Sequence, residues 1–190
     1  MDKIELSLAS GHGLWFGVLV DGNDRLVASA LYSAQNSLRK YLDEYARKIT
    51  GSNPEEVEHE LAGEMVTLFE GRARPQRFNL NPERVSPFQN RVHQILLKIP
   101  KRRVTTYGRI ATYLGTGPRA VGTAVSSNPL PLFVPCHRVV PAGLNVGNYS
   151  MNGTPSRESS KVKAELLRRE GVRFEGDRIS PSSTWIPQEA

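Results

Sequence analysis

The chain has 190 residues, 38% hydrophobic and 23% charged, an ordinary composition for a folded protein of one or two domains. Its N-terminus lacks the basic and apolar regions of a signal peptide, and no stretch approaches ~18 consecutive apolar residues, so we expect a cytoplasmic protein (nuclear if the source is eukaryotic) rather than a secreted or membrane-spanning one. The net charge is +6, and residues 101–190 hold 13 Lys and Arg against 6 Asp and Glu, which indicates either a polyanionic partner or a solvated basic surface.

The first 70 residues have the pattern of a small α/β scaffold. Residues 4–32 predict strands, with a hairpin turn at 21–24. Two amphipathic helices follow. Their apolar stripes are Leu38, Leu42, Tyr45 and Ile49 in the first, and Val57, Leu61, Met65 and Leu68 in the second. The second helix is predicted to begin with Asn53 as N-cap, Pro54 at the first position and Glu56 at the third.

A connection rich in arginine and proline follows this scaffold, and we divide the chain there. The predicted division is an N-terminal domain at 1–71, a linker at 72–86 and a C-terminal domain at 87–190. The C-terminal domain opens with an amphipathic helix that ends before Pro100.

The next segment has the length and punctuation of a helix-turn-helix. Thr105 or Thr106 caps a short helix that ends at Leu114, and a Gly-Thr-Gly turn leads to a second helix that begins at Pro118.

The second of these helices has few bulky side chains, which would let it approach a nucleic-acid duplex closely. Val121, Ala124 and Val125 are predicted to face inward. The small or polar residues of its other sides are Ala120, Gly122, Thr123 and Ser126. Arg119 is its one long basic residue, and either fills the gap left by an extruded base, grips a phosphate, or is an ordinary surface arginine.

Cys136 is the only cysteine, so it cannot form an internal disulfide, and it lies directly before His137. A neighbouring imidazole can take the thiol proton, directly or through water, and leave a nucleophilic thiolate. The alternative is an inert buried cysteine.

The last predicted helix, capped by Ser159 or Ser160, places Glu170 on the same stripe as Val162 and Leu166. A carboxylate on a buried face needs a partner, and His137 is a candidate, which would give the orientation of a catalytic triad. Glu170 turned to solvent or paired with an arginine is the alternative.

Several separated motifs together resemble the O6-alkylguanine-DNA alkyltransferases over about residues 85–175. The motifs are Pro135-Cys136-His137-Arg138-Val139-Val140, the stretch from Val104 to Ala111, Pro118-Arg119-Ala120-Val121-Gly122, Asn128-Pro129, Gly147-Asn148-Tyr149-Ser150 and Glu170-Gly171. They follow in that family's order and nearly its spacing. Residues 1–70 resemble its ribonuclease-H-like domain in pattern alone. The resemblance implies an α+β protein in which a C-terminal, mostly helical domain carries a winged-type helix-turn-helix.

The resemblance also implies a role for each matching residue. Cys136 would accept the alkyl group from O6-alkylguanine in double-stranded DNA, with His137 as a water-mediated base and Glu170 orienting it. Tyr107 would bind the flipped guanine and donate a proton to it, and Asn128 would act as a hinge. Ser150, Val139, Pro131 and Lys163 are the candidate substrate-binding residues. Arg119, Thr106, Ala120, Gly122 and Thr123 are the candidate DNA-binding residues.

Such a protein would be consumed in one turnover, without metal or other cofactor, and we expect it to act as a monomer. The zinc site of some family members uses N-terminal cysteines that this chain lacks, and His12, His59 and His93 are expected to be ordinary polar residues. The segment 151–158 is longer and more polar than is usual in the family, and would border the pocket.

Three other functions fit the sequence less well. A non-enzymatic protein that binds alkylated DNA would have another residue in place of Cys136. A helix-turn-helix regulator would have no use for the Cys-His pair, and a cysteine hydrolase would need an oxyanion site that the sequence does not reveal.

Overall fold

The computed structural model describes residues 3–72, 85–149 and 156–188, and its chain divides into two compact units. The first unit contains the chain up to residue 84 and also Pro129–Phe133, and the second contains the rest. The sequence-based division had placed 129–133 in the C-terminal domain. In the structure, the backbone N–H and the hydroxyl of Ser29 donate to the carbonyls of Pro129 (2.8 Å) and Pro131 (2.9 Å).

The first unit is a four-stranded sheet with a helix on each face. Its elements are β1 (Ile4–Gly11), β2 (Leu14–Asp21), β3 (Leu26–Tyr32), α1 (Gln35–Thr50), β4 (Glu55–Glu56) and α2 (Glu60–Phe69). The predicted hairpin is confirmed, and the strand order is β3-β2-β1-β4. Successive strand residues point to opposite faces, and on β2 Phe16 contacts Phe69 of α2, whereas Gly17 lies against α1.

The predicted start of α2 is wrong. Residues 55–56 form a short strand parallel to β1, with Glu55 opposite Glu5, rather than the first turn of a helix. Three residues separate that strand from the helix, which begins at Glu60, and the ring of the N-cap residue His59 accepts a hydrogen bond from the N–H of Leu61 (3.2 Å). The free edge of β1 offers backbone hydrogen bonds to residues 55–56, and these bonds stabilise the strand more than an Asn53-Pro54 cap would stabilise a helix.

The second unit is mostly helical, and its helix-turn-helix elements are confirmed. Its elements are α3 (Pro87–Lys98), β5 (Thr105–Thr106), α4 (Tyr107–Leu114), α5 (Pro118–Ser126), β6 (Val139–Val140), α6 (Arg157–Arg169), β7 (Phe174–Glu175) and β8 (Arg178–Ile179), with 3₁₀ turns at Cys136–Arg138 and Pro181–Ser183. Gly115 ends α4 in the left-handed conformation (φ 64°), which glycine adopts at low cost. None of the described helices is both long and apolar enough to cross a bilayer.

The predicted start of α6 is also wrong. Ser156, not Ser159 or Ser160, is the N-cap, and its hydroxyl accepts a hydrogen bond from the N–H of Ser159 (3.0 Å). The helix therefore begins about a turn earlier than expected. Of the expected pocket-bordering segment 151–158, residues 151–155 lie outside the described part of the chain, as do residues 73–84 of the expected linker.

Gly17 is a packing requirement of the first unit. A Cβ there would lie 2.5 Å from Leu42 Cδ1 and 2.9 Å from Leu8 Cδ2. We expect Gly17→Ala to lower the free energy of unfolding by ~1–3 kcal/mol through overpacking. Gly22→Ala, where an added Cβ meets nothing within 4 Å, is the matched control and should change it far less. Urea denaturation of both variants measures the difference, and equal midpoints would contradict the packing argument.

Candidate active site

A short parallel pairing joins the helix-turn-helix to the cysteine segment. Thr105 pairs with Val139 and Thr106 with Val140, so the start of α4 lies beside the chain that follows the Cys136–Arg138 turn. The hydroxyl of Thr106 also caps α4 by accepting from the N–H of Arg109 (3.2 Å). Of the two capping residues that the sequence allowed, Thr106 is therefore the one used.

Cys136 is 8% exposed and opens the 3₁₀ turn. Burial raises the pKa of its thiol, because a thiolate loses hydration there. The Asn128 side chain, the positive charge of Lys163 and the Tyr149 hydroxyl act in the opposite direction on that pKa. The thiol is thus held protonated by burial, within a set of groups that stabilise the thiolate once its proton is removed.

Asn128 bonds to the backbone of the segment that leads to the thiol. Its side-chain amide donates to the carbonyl of Val134 (3.0 Å), so a side chain just after α5 holds the backbone two residues before Cys136. The same side chain contributes a hydrogen bond that lowers the thiol pKa. This contact physically couples the end of α5 to the cysteine.

Glu170 is buried, at 5% exposure, and contacts the side chains of His137 and Arg138. Its Oε1 accepts from His137 Nε2 (3.0 Å) and from Arg138 Nη2 (2.6 Å), and its Oε2 accepts from Arg138 Nε (2.8 Å). Burial alone would raise the pKa of this carboxyl, but the His137 and Arg138 charges and hydrogen bonds outweigh it and hold the pKa well below its usual range. Both partners that the sequence allowed for Glu170, His137 and an arginine, are therefore present.

The other ring nitrogen of His137, Nδ1, is buried and has no hydrogen-bond partner among the described residues. Because Nε2 faces the carboxylate and carries the proton there, Nδ1 is the acceptor nitrogen. A base for Cys136 must reach the thiol proton directly or through one water, and Nδ1 is the ring nitrogen of His137 that is able to accept it.

Lys163 is 1% exposed, and its Nζ donates to the carbonyl of Val139 (2.8 Å) and, at 3.5 Å, to that of Asn148. Burial lowers its pKa to about 8, while the negative charge of a Cys136 thiolate acts in the opposite direction. Tyr107, the first residue of α4, has its pKa raised by burial and by the same negative charge, so its hydroxyl stays protonated at neutral pH.

The candidate DNA-binding residues of α5 lie at its surface. Arg119, Ala120 and Thr123 are exposed and Gly122 is partly exposed, while Val121, Ala124 and Val125 are buried as predicted. A Cβ on Gly122 would meet nothing within 4 Å, so no packing requirement within the structure explains a glycine there.

The structure leaves the proposed roles of two candidate substrate-binding residues untested. Pro131 belongs to the first unit, where its carbonyl accepts from Ser29, and Ser150 lies outside the described residues.

Sequence reasoning assigned no role to two residues that the structure places in the site. Arg138 donates two hydrogen bonds to the Glu170 carboxylate. Its position next to His137 in the Cys-His-Arg run was the feature of the sequence that could have indicated a role in the site. Tyr149, 7% exposed, interacts with the thiol, and its pKa is raised well above its ordinary value by burial and by the Cys136 charge.

In the described ranges, no group of three His, Cys, Asp or Glu side chains is arranged to hold a metal ion. His12 pairs with Glu70 (2.9 Å), His59 caps α2 and His93 is buried in α3.

Comparison with known proteins agrees with this geometry. The model of the 6-O-methylguanine DNA methyltransferase DNA-binding domain matches residues 87–172. A methylated-DNA–protein-cysteine methyltransferase of Thermococcus sibiricus is 40% identical over 141 residues, which are 73% of this chain and 74% of that protein.

Solved structures show the same likeness. O6-methylguanine-DNA methyltransferase of Pyrococcus kodakaraensis superposes with a TM-score of 0.72 at 29% identity, covering 88% of this chain and 99% of that one. The O6-methylguanine methyltransferase of Mycobacterium tuberculosis gives a TM-score of 0.66 at 26% identity, covering 92% and 96%. The fold and site define a class of mixed α+β, DNA-binding proteins with a buried cysteine. The chain belongs to the family of methylated-DNA–protein-cysteine methyltransferases.

The ion pairs of Glu170 give a testable stability difference. We expect Glu170→Gln to lower the free energy of unfolding at pH 7 by ~3 kcal/mol, because the buried Arg138 charge loses its partner. The folded pKa of Glu170 is depressed, so its stabilisation is complete above the ordinary value of 4.5 and is lost as the pH falls through the folded value. Urea denaturation measured from pH 7 downward should show that the difference in the free energy of unfolding between the native protein and the variant shrinks below pH 4.5.

The matched control for that experiment is Glu165→Gln on the same helix. Glu165 pairs with Arg169 (2.7 Å) at a partly exposed position, where such pairs contribute ~0–1 kcal/mol. A Glu170→Gln effect as small as that of the control would mean that the buried ion pairs do not stabilise the fold.

Proposed function

We propose that this protein repairs DNA by direct reversal, transferring the alkyl group of O6-alkylguanine in double-stranded DNA to Cys136. The observation that carries the proposal is the chain's single thiol, buried beside a His137–Glu170 pair whose free ring nitrogen is an acceptor. Membership in a family of cysteine methyltransferases supports it. The division into a scaffold at 1–71, a linker at 72–86 and a functional domain at 87–190 is part of this proposal.

The chemical step follows from the positions of the protons. His137 Nδ1 takes the Cys136 proton, directly or through a water, and Glu170 stabilises the resulting imidazolium. The thiolate attacks the alkyl carbon, a C–S bond forms, and the bond from that carbon to O6 breaks with its electron pair going to guanine. The Tyr107 hydroxyl supplies the proton that the guanine gains, and the proton on His137 later restores neutral tyrosine through solvent.

The product explains why the reaction stops after one event. A thioether sulfur has no acidic proton, and neither His137 nor any other side chain of the site provides a nucleophile able to remove the alkyl group. Each protein molecule therefore acts once, as a monomer on one lesion. The step uses side chains alone and draws on no cofactor.

The substrate-binding roles rest on what surrounds the thiol. We place the guanine with its exocyclic amine against the backbone around Cys136 and Val139. The carbonyl of Val139 already accepts a hydrogen bond from Lys163 Nζ (2.8 Å). Ser150 would face O6, and Pro131 would line the base pocket. Asn128 acts as the hinge between α5 and the active-site segment, as its bond to Val134 suggests.

The DNA-binding roles rest on the shape and exposure of α4 and α5. The α5 surface of Ala120, Gly122 and Thr123 is small enough to enter a groove, and Arg119 occupies the stack that the flipped guanine leaves. Thr106 is 8% exposed, and its proposed contact with the DNA backbone rests on its position beside Tyr107 at the start of α4. In finer detail, we propose a winged-type helix-turn-helix here and a ribonuclease-H-like scaffold in the first unit.

Intact-protein mass spectrometry tests the transfer. After incubation with a duplex that contains O6-methylguanine, we expect a gain of one methyl group, about 14 Da, on Cys136, with at most one event per molecule. Cys136→Ser and an undamaged duplex are the controls and should show no gain. Unchanged mass with tighter binding to damaged than to undamaged DNA would refute transfer and favour a lesion-binding protein without enzymatic activity.

Close approach of α5 to the duplex is tested at Gly122. Gly122→Leu fits the fold, because a Cβ meets nothing within 4 Å, yet it adds bulk to the proposed contact surface. We expect weaker duplex binding, by ~10-fold or more for ~1.4 kcal/mol of lost contact, with an unchanged rate of transfer from free O6-methylguanine base.

Gly63→Leu on α2 is the control for that variant, since Gly63 is also helical and equally open. Fluorescence anisotropy with a labelled duplex measures both variants. Equal affinity of Gly122→Leu and native protein would exclude α5 from the DNA interface.

A further inference from the structure

The carboxylate of Glu170 is held more tightly by Arg138 than by the histidine it is proposed to orient. Arg138 Nε and Nη2 reach both carboxylate oxygens, at 2.8 and 2.6 Å, whereas His137 reaches Oε1 alone, at 3.0 Å. A two-point contact fixes the plane of a carboxylate, and a one-point contact leaves it free to rotate.

Arg138 is itself fixed in place. It is 8% exposed, and its remaining terminal nitrogen, Nη1, donates to the carbonyl of Ile99 (2.7 Å) at the C-terminal end of α3. A continuous set of hydrogen bonds therefore runs from the end of α3 through Arg138 and Glu170 to His137. Every member of this set is buried, so water does not compete for these bonds.

We propose that Arg138 is a positioning residue for the transfer reaction: its guanidinium holds the Glu170 carboxylate so that Oε1 stays on His137 Nε2 and Nδ1 stays free for the Cys136 proton. The inference rests on the function proposed above. It assigns Arg138 no contact with the DNA or with the alkyl group, since its guanidinium donates to the Glu170 carboxylate and to the carbonyl of Ile99.

The charge of Arg138 has a second consequence. With Arg138 on the same oxygen, Oε1 shares its charge between two donors. The carboxylate is kept ionised, since Arg138 helps to hold the pKa of Glu170 below its usual range. Glu170 can thus orient His137 and yet leave Nδ1 able to accept a proton.

The test is a double-mutant cycle of Arg138→Met, Glu170→Gln and the two combined, with Arg138→Lys as the conservative variant. Two quantities are measured for each protein: the first-order rate constant of methyl transfer from an O6-methylguanine duplex, and the Kd for that duplex. Arg169→Met, which removes a partly exposed partner of Glu165, is the matched control. The double variant has no charge at either buried position, which guards against a simple failure to fold.

We expect Arg138→Met to slow transfer by ~10–100-fold, the usual effect of removing a side chain that orients a functional group, with the Kd close to native. Arg138→Lys should recover part of the rate, because an ammonium group can reach one carboxylate oxygen but not both in the same plane. When Glu170 is already Gln, the further change Arg138→Met should lower the transfer rate constant little more, because Arg138 acts on the reaction by positioning the Glu170 carboxylate.

Four results would overturn the inference. They are a native rate in Arg138→Met, a multiplicative loss in the double variant, a loss of DNA affinity that accounts for the slower reaction, and a loss as large in Arg169→Met. The alkylation rate of Cys136 by iodoacetamide, which needs no DNA, should fall in the same order as the transfer rate. If the native protein itself transfers no methyl group, the proposed function fails instead, and the iodoacetamide series still decides the role of Arg138.

Discussion

The burial of one negative charge organises the second unit of this protein. Glu170 lies at the end of α6, where the helix dipole opposes a negative charge, and in an interior that strips it of water. Such a carboxylate is stable only with paired donors of good geometry, and Arg138 and His137 provide them from the turn that begins at Cys136. Satisfying this charge therefore brings the last helix and the cysteine turn together.

The thiol is subject to the opposite requirement. Its pKa is raised by burial, so it rests in the neutral form, and the groups that favour the thiolate act against that desolvation. An exposed, permanently ionised thiol would react with any electrophile, and each such reaction would inactivate one protein molecule. The thiol is buried and adjoins His137 in sequence, whose Nδ1 has no hydrogen-bond partner among the described residues, and Asn128 and Lys163 lower the thiol pKa against the effect of burial.

Two errors in the sequence-based prediction share a cause. Asn53-Pro54 and the serines at 159–160 are genuine local signals for helix starts, yet β1 recruits Glu55–Glu56 as an edge strand and Ser156 caps α6. A helix cap contributes about 1 kcal/mol to stability, so neighbouring capping residues differ in free energy by no more than about that amount. The choice among them is made by backbone partners and packing supplied by other parts of the chain.

The sequence by itself determined the features that depend on neighbours within a few residues. These include the hairpin, the apolar stripe of α1, a threonine cap for α4 at residue 105 or 106, the start of α5 at Pro118, and the adjacency of the only thiol to an imidazole. It also placed Glu170 on the buried stripe of α6, because helical periodicity is a local property. The tertiary structure decided which partners that carboxylate takes, since His137 and Arg138 are 33 and 32 residues away. It likewise decided the desolvation of Cys136 and Lys163, because burial depends on the packing of segments that no local pattern brings together.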